Sequence, residues 1–574
     1  MRPGPDIAFV NGAIFDGSRF LPAGTVVRVS GETITAVGPA RGPGGPGDLG
    51  GAEPVDLAGG TLLPGFIDAH VHPVFAGNQL RRCDLSDVKT AAGYLEIIAA
   101  YAAAHPGEEW ITGGGWSMEA FPGGLPTSDV LDAVVSDRPV FLPNRDGHGA
   151  WVNGRALELA GIDASTPDPA DGRIERNADG SPSGTLQEGA QYLVSRLVPD
   201  TTADDWYDGL LAAQRYLLSL GITGWQDAIV GSQPGLPDPI DAYLRAARAG
   251  TLAANVVGAL WWDRERGFDQ VAELVERRRD GQAGRFRATS VKMMLDGVAE
   301  NHTAAMLEPY LDGHGCATEQ TGLDFIDPDE LPRFVTALDQ EGFQVHFHAL
   351  GDRAVRNALD AIQAAREANG DGGRGHHLAH LQVVHPDDIP RFARLSATAN
   401  IQPLWATHEP QMDELTIPFL GERRSGWQYP FGSLLAAGAT LCAGSDWSVS
   451  SPDPLAGAHV AVNRSLPGGS GPRGPGMSPG EDAVSPRAST AGEPSAAGPF
   501  LPGQALSPEA IFAAYTSGSA RVNGLEHVTG SIRPGFDADF AIVDADLAHG
   551  RAAEIGQASV TSTWVRGEVA YQRT

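Results

Sequence analysis

The chain alternates short, almost uninterrupted apolar runs with longer stretches rich in Ala and Leu. The apolar runs include FQVHFHA, HLAHLQVV and ATLCAGSD, and the longer stretches include DGLLAAQRYLLSLG and DRAVRNALDAIQAAREANG. Apolar runs without polar alternation are typical of strands that are buried on both faces of a parallel sheet, and the stretches between them favour helices. Seven or eight such units would close a (β/α)8 TIM barrel, whose chemistry lies at the C-terminal ends of the strands. We therefore predict an α/β fold of this class.

Both ends of the chain show a different pattern, in which short β-branched runs are separated by turn residues. Asn-Gly, Asp-Gly and Gly-Glu turn signals separate the runs near the N-terminus, and GSIRPGFDADFAIVDADL and ASVTSTWVRGEVAYQ repeat the pattern near the C-terminus. We predict a small β-sandwich built from residues 1–61 and 529–574, around a barrel that spans 62–528. A segment rich in Gly, Pro and Ser at 466–503 is predicted to be a mobile loop or lid insertion.

The charge balance excludes several classes of partner. The 574 residues include 71 Asp and Glu against 41 Lys and Arg, which gives a formal net charge of −30. Because this charge repels phosphate backbones and anionic lipid, and no basic patch occurs, we expect neither a nucleic acid nor a membrane as partner. We find no secretory leader and no run of about 18 apolar residues, so a cytoplasmic location is expected. The sequence is compatible with a homodimer.

The strongest chemical signal is the run PGFIDAHVHP, in which His70 and His72 are two residues apart. Side chains at this spacing share one face of a strand, so both imidazoles point the same way and suit a single metal ion. Taken alone, the pair fits two structural histidines equally well. Further candidates follow other apolar runs, namely His346, His348, His380 and Asp446. A buried His and Asp cluster without a cation carries a heavy desolvation cost, so the set favours a divalent metal site.

Several longer phrases resemble a known family. PGFIDAHVHP, VKMMLDG, HFHALGDRAV, AHLQVVHPDDIPRF, GSDWSVS and GSIRPGFDADFAIVD are together similar to the metal-dependent amidohydrolase superfamily, in the branch often labelled amidohydrolase family 3. The resemblance runs nearly end to end and implies a (β/α)8 barrel with a small β-sandwich from both termini. RDGHGAWVN, VKMMLDGVAENHTAAMLEPYLDG and LEHVTGSIRPG look most like the N-substituted formamide deformylases, which hydrolyse N-alkyl or N-benzyl formamides.

The resemblance implies a set of metal ligands made up of His70, His72, Lys292, His348, His380 and Asp446. Spacing alone does not choose between His346 and His348, since both share a face, but the family phrase His-Ala-Leu-Gly-Asp selects His348. Lys292 is expected to be carboxylated and to bridge two metals, which requires burial to lower the pKa of its amine. An ion pair between Lys292 and Asp296 is the structural alternative. Such ligands suit one or two Zn²⁺ ions, while Mn, Fe, Co and Ni also fit.

The resemblance implies a role for Asp446, and position in the sequence suggests roles for other residues around the metal. Asp446 is expected to take a proton from metal-activated water and pass it to the leaving nitrogen. His148 and Arg145, which follow the run PVFLP, are expected to hold the substrate carbonyl or the oxyanion, unless Arg145 and Asp146 only order a loop. The remaining candidates are Asn301 and His302 as substrate or ligand-supporting contacts, and Glu188 as a bridging carboxylate if Lys292 is unmodified. Four tryptophans on predicted strand-end loops could wall an apolar pocket, although packing is the more common role of aromatic residues near a barrel mouth: Trp116, Trp151, Trp405 and Trp447.

The candidate ligands predict a metal-dependent hydrolase of carbon–nitrogen amide bonds, and the resemblance to the deformylases implies a linear N-substituted formamide or a similar small amide as substrate. A cyclic amide, a carbamate or an ester is the alternative substrate, because the same centre polarises any such carbonyl and the loops choose among them. A catalytically silent binding protein on the same barrel is the alternative from another class. The complete ligand set argues against it.

Overall fold

A computed structural model describes residues 6–39, 51–86, 88, 90–199, 201–232, 238–370, 372–468 and 498–573. The central part of the predicted insertion at 466–503 lies outside the described residues. The strands are β1 Asp6–Val10, β2 Ala13–Ile14, β3 Thr25–Ser30, β4 Thr33–Pro39, β5 Glu53–Asp56, β6 Thr61–Pro64, β7 Phe66–Val71, β8 Cys83–Asp84, β9 Ile111–Gly114, β10 Val140–Pro143, β11 Gly149–Val152, β12 Gly172–Arg176, β13 Pro182–Glu188, β14 Ile222–Val230, β15 Asn255–Trp261, β16 Gln282–Ala283, β17 Phe286–Met294, β18 Gln344–Ala349, β19 His377–His380, β20 Thr398–Ile401, β21 Thr440–Ala443, β22 Phe540–Val543, β23 Val560–Val565 and β24 Glu568–Gln572.

The helices are α1 Pro73–Gln79, α2 Ala91–Ala104, α3 Ser128–Asp132, α4 Gly154–Ala160, α5 Tyr192–Ser195, α6 Ala203–Ser219, α7 Ile240–Ala249, α8 Val271–Asp280, α9 Leu331–Gln340, α10 Asp352–Asn369, α11 Ile389–Arg394, α12 Ile417–Ser425, α13 Phe431–Ala436, α14 Pro454–Asn463, α15 Pro508–Ala513 and α16 Ser519–Val522. Among the described residues, no helix combines the length and the apolar character needed to cross a bilayer.

Eight parallel strands form the barrel, and they pair in the order β7, β14, β15, β17, β18, β19, β20 and β21. Every residue of β7, β19 and β20 is buried, which explains why these strands read as apolar runs. Beyond the last strand, Asp446 N donates to His70 O at 2.7 Å, and His72 N donates to Trp447 O at 2.8 Å. These bonds join the two ends of the sheet and bring Asp446 beside the two histidines.

Two smaller sheets use both ends of the chain. One has the strand order β4-β3-β1-β5, and the other has the order β2-β6-β22-β23-β24, so the second joins N-terminal and C-terminal strands. A shared apolar cluster lies between them, in which the Phe9 ring lies edge-on to Phe540 at 5.0 Å and to Trp564 at 5.3 Å. The predicted fold, a TIM barrel with a small β-sandwich from both termini, is confirmed.

A further six-stranded sheet, in the order β12-β13-β11-β10-β9-β8, lies between α1 and α6 in the chain. The run PVFLP has the apolar pattern of a barrel strand, but most of it forms β10, which pairs with β9 and β11 in this inserted sheet. The core of the inserted sheet buries Trp116 and Trp151, whose indole N–H groups donate to Leu142 O and Thr127 O. Of the two roles considered for these tryptophans, the structure therefore supports packing, because both lie in the core of the inserted sheet and not on a pocket wall.

Candidate metal centre

The centre of the site lies where the first and last barrel strands meet. His70 is in β7, His72 follows that strand directly, and Asp446 lies in the loop after β21. Asp446 Oδ1 is 3.2 Å from His70 Nε2 and 2.8 Å from His72 Nε2. One ligand atom from each of the three side chains lies within 4.8 Å of the others, which is the spacing expected around one cation. The strand register explains this convergence, because parallel strands end together at one mouth of the barrel.

Buried polar atoms around this point fit a divalent ion. Within the described part of the chain, His380 Nδ1 and Asp446 Oδ1 are buried and have no hydrogen-bond partner. Asp446 Oδ1 is close to His72 Nε2 but has no aligned donor, as expected of two atoms that bind the same ion. Since buried polar groups are nearly always satisfied, a shared cation accounts for them, and a set of imidazoles with a carboxylate suits Zn²⁺.

Lys292 lies beside the first pair of ligands. Its Nζ is 3.4 Å from His70 Nε2, and the side chain is buried on β17. Burial lowers the pKa of the Lys292 amine to about 7, so a large neutral fraction exists at neutral pH. The alternative ion pair with Asp296 does not form, because the Asp296 carboxylate instead accepts hydrogen bonds from the backbone N–H groups of Ala305, Leu350 and Gly351.

His348 and His380 complete the cluster. The centroid of the His380 ring lies 4.5 Å from that of His348 and 4.7 Å from that of His70, and His380 Nδ1 is 3.9 Å from Asp446 Oδ2. Burial holds the pKa of both imidazoles well below the usual value, which favours the neutral form that binds metals. Contacts thus link all six of the predicted ligands into one group.

Two neighbours in the loop after the seventh barrel strand, β20, contact His380. Gln402 Oε1 accepts a hydrogen bond from His380 N at 2.7 Å, and the Trp405 ring stacks on the His380 imidazole at 5.2 Å and 2°. Trp405 therefore packs on a candidate ligand. Trp447, the other tryptophan expected near the mouth, is buried against Tyr216 at 5.2 Å.

His148 reaches the cluster from the inserted sheet, and its ring centroid lies 5.5 Å from that of His348. His148 Nδ1 is 2.9 Å from Glu188 Oε2, and Glu188 Oε1 accepts from Thr303 Oγ1 at 2.6 Å. Burial opposes a charge here, but the Glu188 carboxylate outweighs it and raises the pKa of His148 to about 9. Because both of its oxygens are engaged, Glu188 is placed as a partner of His148 and not as a metal bridge.

Arg145 connects the inserted sheet to the loop after β20. Its Nη2 donates to Gln411 Oε1 at 2.9 Å and lies 3.8 Å from Glu409 Oε1. Asp146 instead accepts a hydrogen bond from His148 N at 2.9 Å, so it orders the backbone next to that imidazole. The guanidinium is thus committed to the loop that carries Gln411 and Glu409.

The remaining candidates lie in the loop after β17. Asn301 Nδ2 is 3.5 Å from His148 O, so Asn301 lies beside the imidazole-bearing segment. His302 packs between Tyr310 and Phe419, with ring centroids at 5.0 Å and 4.6 Å. Asn301 is therefore near the site, while His302 contributes to packing of the loop.

The family to which this barrel belongs follows from comparison with known proteins. Residues 53–571 match the family described as Amidohydrolase family, which is most of the chain. The chain belongs to the amidohydrolase family.

Individual relatives cover nearly the whole amidohydrolase chain. Protein LONG AFTER FAR-RED 3 of Arabidopsis thaliana is 29% identical over 577 residues, which cover 99% of this chain and 91% of the relative. N-substituted formamide deformylase of Arthrobacter pascens is 27% identical over 565 residues, which cover 96% and 95%. The crystal structure of an uncharacterized metal-dependent hydrolase from Pyrococcus furiosus superimposes with a TM-score of 0.65 at 25% identity, covering 95% and 100%. These matches together show that the chain is a hydrolase enzyme.

Polar residues within the barrel strands of this amidohydrolase could not be recognised as site residues from the sequence patterns. Gln226 in β14 and Asn400 in β20 are fully buried, and Asn400 Nδ2 donates to Ala69 O at 2.9 Å, next to His70. Gln226 Oε1 accepts from His346 Nδ1 at 2.6 Å. The signal that could have found them is an amide side chain within an otherwise apolar strand.

Proposed function

We propose that this amidohydrolase hydrolyses small linear amides, with N-substituted formamides as the principal class. The observation that carries the proposal is the convergence of His70, His72 and Asp446, whose ligand atoms lie within 4.8 Å of one another. The deformylase from Arthrobacter pascens, related over nearly the full length of both chains, supports the substrate class. We further propose one or two Zn²⁺ ions as the cofactor, held by His70, His72, Lys292, His348, His380 and Asp446.

The divalent ion and Lys292 have separate parts in this proposal. When bound, the ion lowers the pKa of water towards about 7 and polarises the amide carbonyl. The neutral Lys292 amine attacks CO2 and loses a proton, which gives a carbamate whose single negative charge is shared by two oxygen donors. The lowered pKa of about 7 supports this step, because a protonated amine has no lone pair for the attack.

Asp446 moves the proton. The carboxyl lies 3.2 Å from His70 Nε2 and 2.8 Å from His72 Nε2, and a cation held among these groups would favour its ionised form. As an anion it accepts a proton from the attacking water and then donates that proton to the amide nitrogen. This transfer is needed because the leaving nitrogen departs as an amine and not as an amine anion.

His148 stabilises the oxygen of the substrate. Its Nδ1 is held by Glu188, which leaves Nε2–H of the imidazolium to donate to the oxygen that becomes negative during attack. Removing one such donor typically costs about 10²- to 10³-fold in kcat. Arg145, held by Gln411, is proposed to shape the entrance next to His148.

The experiment is a substrate comparison on the Zn²⁺-loaded protein. N-benzylformamide, a simple lactam and an aryl ester are incubated with the wild type and with Asp446→Asn, and formate, amine, ring-opened product and phenol are quantified. Equal amounts of formate and benzylamine, lost in the variant, support the proposal. Cleavage of the lactam or the ester without formate release assigns the same centre to another carbonyl substrate and overturns it.

A further inference from the structure

We propose that His346 is a positioning residue that fixes the tautomer of the ligand His70, and that it is not itself a metal ligand. This inference rests on the metal centre of the proposed function, but not on the choice of substrate. Four hydrogen bonds, which run from a backbone carbonyl in α16 to the His70 imidazole, carry it. Every residue in this chain of hydrogen bonds is buried: Ser519, Asn523, Gln226, His346 and His70.

The chain of hydrogen bonds starts at Ser519 O, which is 2.9 Å from Asn523 Nδ2. A carbonyl oxygen only accepts, so the amide nitrogen of Asn523 must face it. The other amide atom, Asn523 Oδ1, then faces Gln226 Nε2 at 3.0 Å. The orientation of the Gln226 amide is thereby set, through Asn523, by the backbone carbonyl of Ser519 in α16.

Gln226 Oε1, turned the other way, lies 2.6 Å from His346 Nδ1. Since this oxygen also only accepts, Nδ1 of His346 carries a proton. In the described part of the chain, the hydrogen-bond and ring contacts of His346 are the Gln226 amide and the rings of His70 and His377, and Lys292 is its neighbour on β17; none of these groups is an anion that would support a second proton. His346 is therefore neutral, and its Nε2 is an acceptor.

His346 Nε2 lies 2.9 Å from His70 Nδ1, and one of these two nitrogens must donate. Because Nε2 of His346 is the acceptor, the proton is on Nδ1 of His70. His70 Nε2 is then unprotonated, and this is the nitrogen that faces Asp446 Oδ1 at 3.2 Å and Lys292 Nζ at 3.4 Å. Both ring nitrogens of His346 are committed, which leaves neither for a metal ion.

Without His346, the His70 proton can occupy Nε2 and block the ligand atom. Partners of this kind, which hold the second nitrogen of a ligating histidine, typically change metal affinity by about 10- to 100-fold. Orientation of the imidazole and choice of tautomer are thus set together by one contact.

A matched pair of substitutions at His346 separates a positioning role from ligation. In His346→Gln, the amide oxygen can take the place of Nε2 and accept from His70 Nδ1–H. In His346→Asn, the shorter side chain keeps an amide near Gln226 but does not reach His70. The readout is the dissociation constant of Zn²⁺ for each full-length protein, measured by chelator competition, with circular dichroism of the metal-free forms as a check on folding.

We expect His346→Asn to weaken Zn²⁺ binding about 10- to 100-fold, and His346→Gln to bind within about threefold of the wild type. Loss of binding in both variants would show that His346 is a ligand, and wild-type affinity in both would show that the contact with His70 has no effect; either result overturns the inference.

A third variant, Gln226→Met, keeps the length of the side chain but removes the acceptor of His346 Nδ1. It is expected to weaken Zn²⁺ binding about tenfold, and unchanged affinity in a folded protein overturns the chain of hydrogen bonds. A wild type that binds no Zn²⁺ contradicts the metal centre and this inference together. A wild type that binds Zn²⁺ with the expected variant pattern but cleaves no formamide contradicts the substrate class alone.

Discussion

His148 Nδ1 and Glu188 Oε2 are 2.9 Å apart, and this buried pair connects the inserted sheet to the mouth of the barrel. Thr303, in the loop after β17, donates to the other Glu188 oxygen at 2.6 Å. The pair therefore links the inserted sheet, which is not part of the barrel, to the loop after β17, the strand that carries Lys292. Its consequence is an imidazole that keeps its proton at neutral pH next to the metal ligands.

We predict that activity falls on the alkaline side as His148 loses its proton. The pKa of His148 is raised to about 9, so the donor form is present below that pH and is lost above it. Glu188→Gln removes the carboxylate that raises this pKa and should move the alkaline limb to lower pH. The measurement is kcat/KM against pH at constant ionic strength, with Thr303→Ser, which keeps the hydroxyl, as control. An alkaline limb that stays in place in Glu188→Gln would contradict the role of the pair.

Asp446→Asn should lower kcat by about 10²- to 10⁴-fold, the usual contribution of a positioned acid–base group. The asparagine keeps an oxygen ligand but cannot accept and return the proton. Turnover is measured at saturating Zn²⁺, and the metal content of each preparation is determined in parallel. Near-normal turnover at full metal occupancy would show that another group moves the proton.

Metal loading should depend on CO2 and on pH through Lys292. With a pKa lowered to about 7, the amine that attacks CO2 is scarce below this pH and abundant above it. Zn²⁺ reconstitution of the metal-free protein should therefore be faster at about pH 8 than at about pH 6, and faster with bicarbonate at either pH. Lys292→Ala should show neither dependence. A wild type that loads at the same rate under all four conditions would argue for an unmodified lysine.

Phe9→Ala should destabilise the β-sandwich by about 3 to 5 kcal/mol, because it leaves a cavity in a close-packed cluster. Phe9 lies in β1 and packs against Phe540 and Trp564, so the substitution tests contact between the two ends of the chain. The loss is measured by urea unfolding followed through tryptophan fluorescence. Val569→Ala, at a side chain that is 49% exposed, should change the stability by less than about 0.5 kcal/mol. Equal effects of the two substitutions would contradict the packing of Phe9 against Phe540 and Trp564.

The barrel could be predicted because its strands are buried on both faces, so they are apolar without alternation. The ends of such strands are also where ligands collect, which is why His70, His72 and Asp446 could be singled out. The inserted sheet could not be separated from the barrel in the same way. Its run PVFLP has the same local pattern as a barrel strand, and only its pairing with β9 and β11 assigns it elsewhere.

Hydrogen bonds between side chains that are far apart in the sequence could not be predicted from local patterns either. His346 and His70 are 276 residues apart in the chain, and Glu188 and Thr303 are 115 apart. The sequence could show that His346 and His348 share a face, but not that one of them is enclosed between Gln226 and His70. The difference between the two histidines depends on the orientation of the Gln226 amide, which is set by hydrogen bonds through Asn523 to a backbone carbonyl of α16.

The most direct test of the account is the metal content of the purified protein. The protein is expressed in medium that contains Zn²⁺, and loosely bound ions are removed. Its metal content is then measured by inductively coupled plasma mass spectrometry, together with that of the double variant His70→Ala/His72→Ala. His527→Ala serves as the control, since this histidine side chain is 84% exposed. We predict about one to two divalent ions per chain in the wild type and control, and loss of at least one in the double variant. Folded wild type with less than about 0.1 ion per chain, or equal metal in all three proteins, would contradict a metal centre at this site.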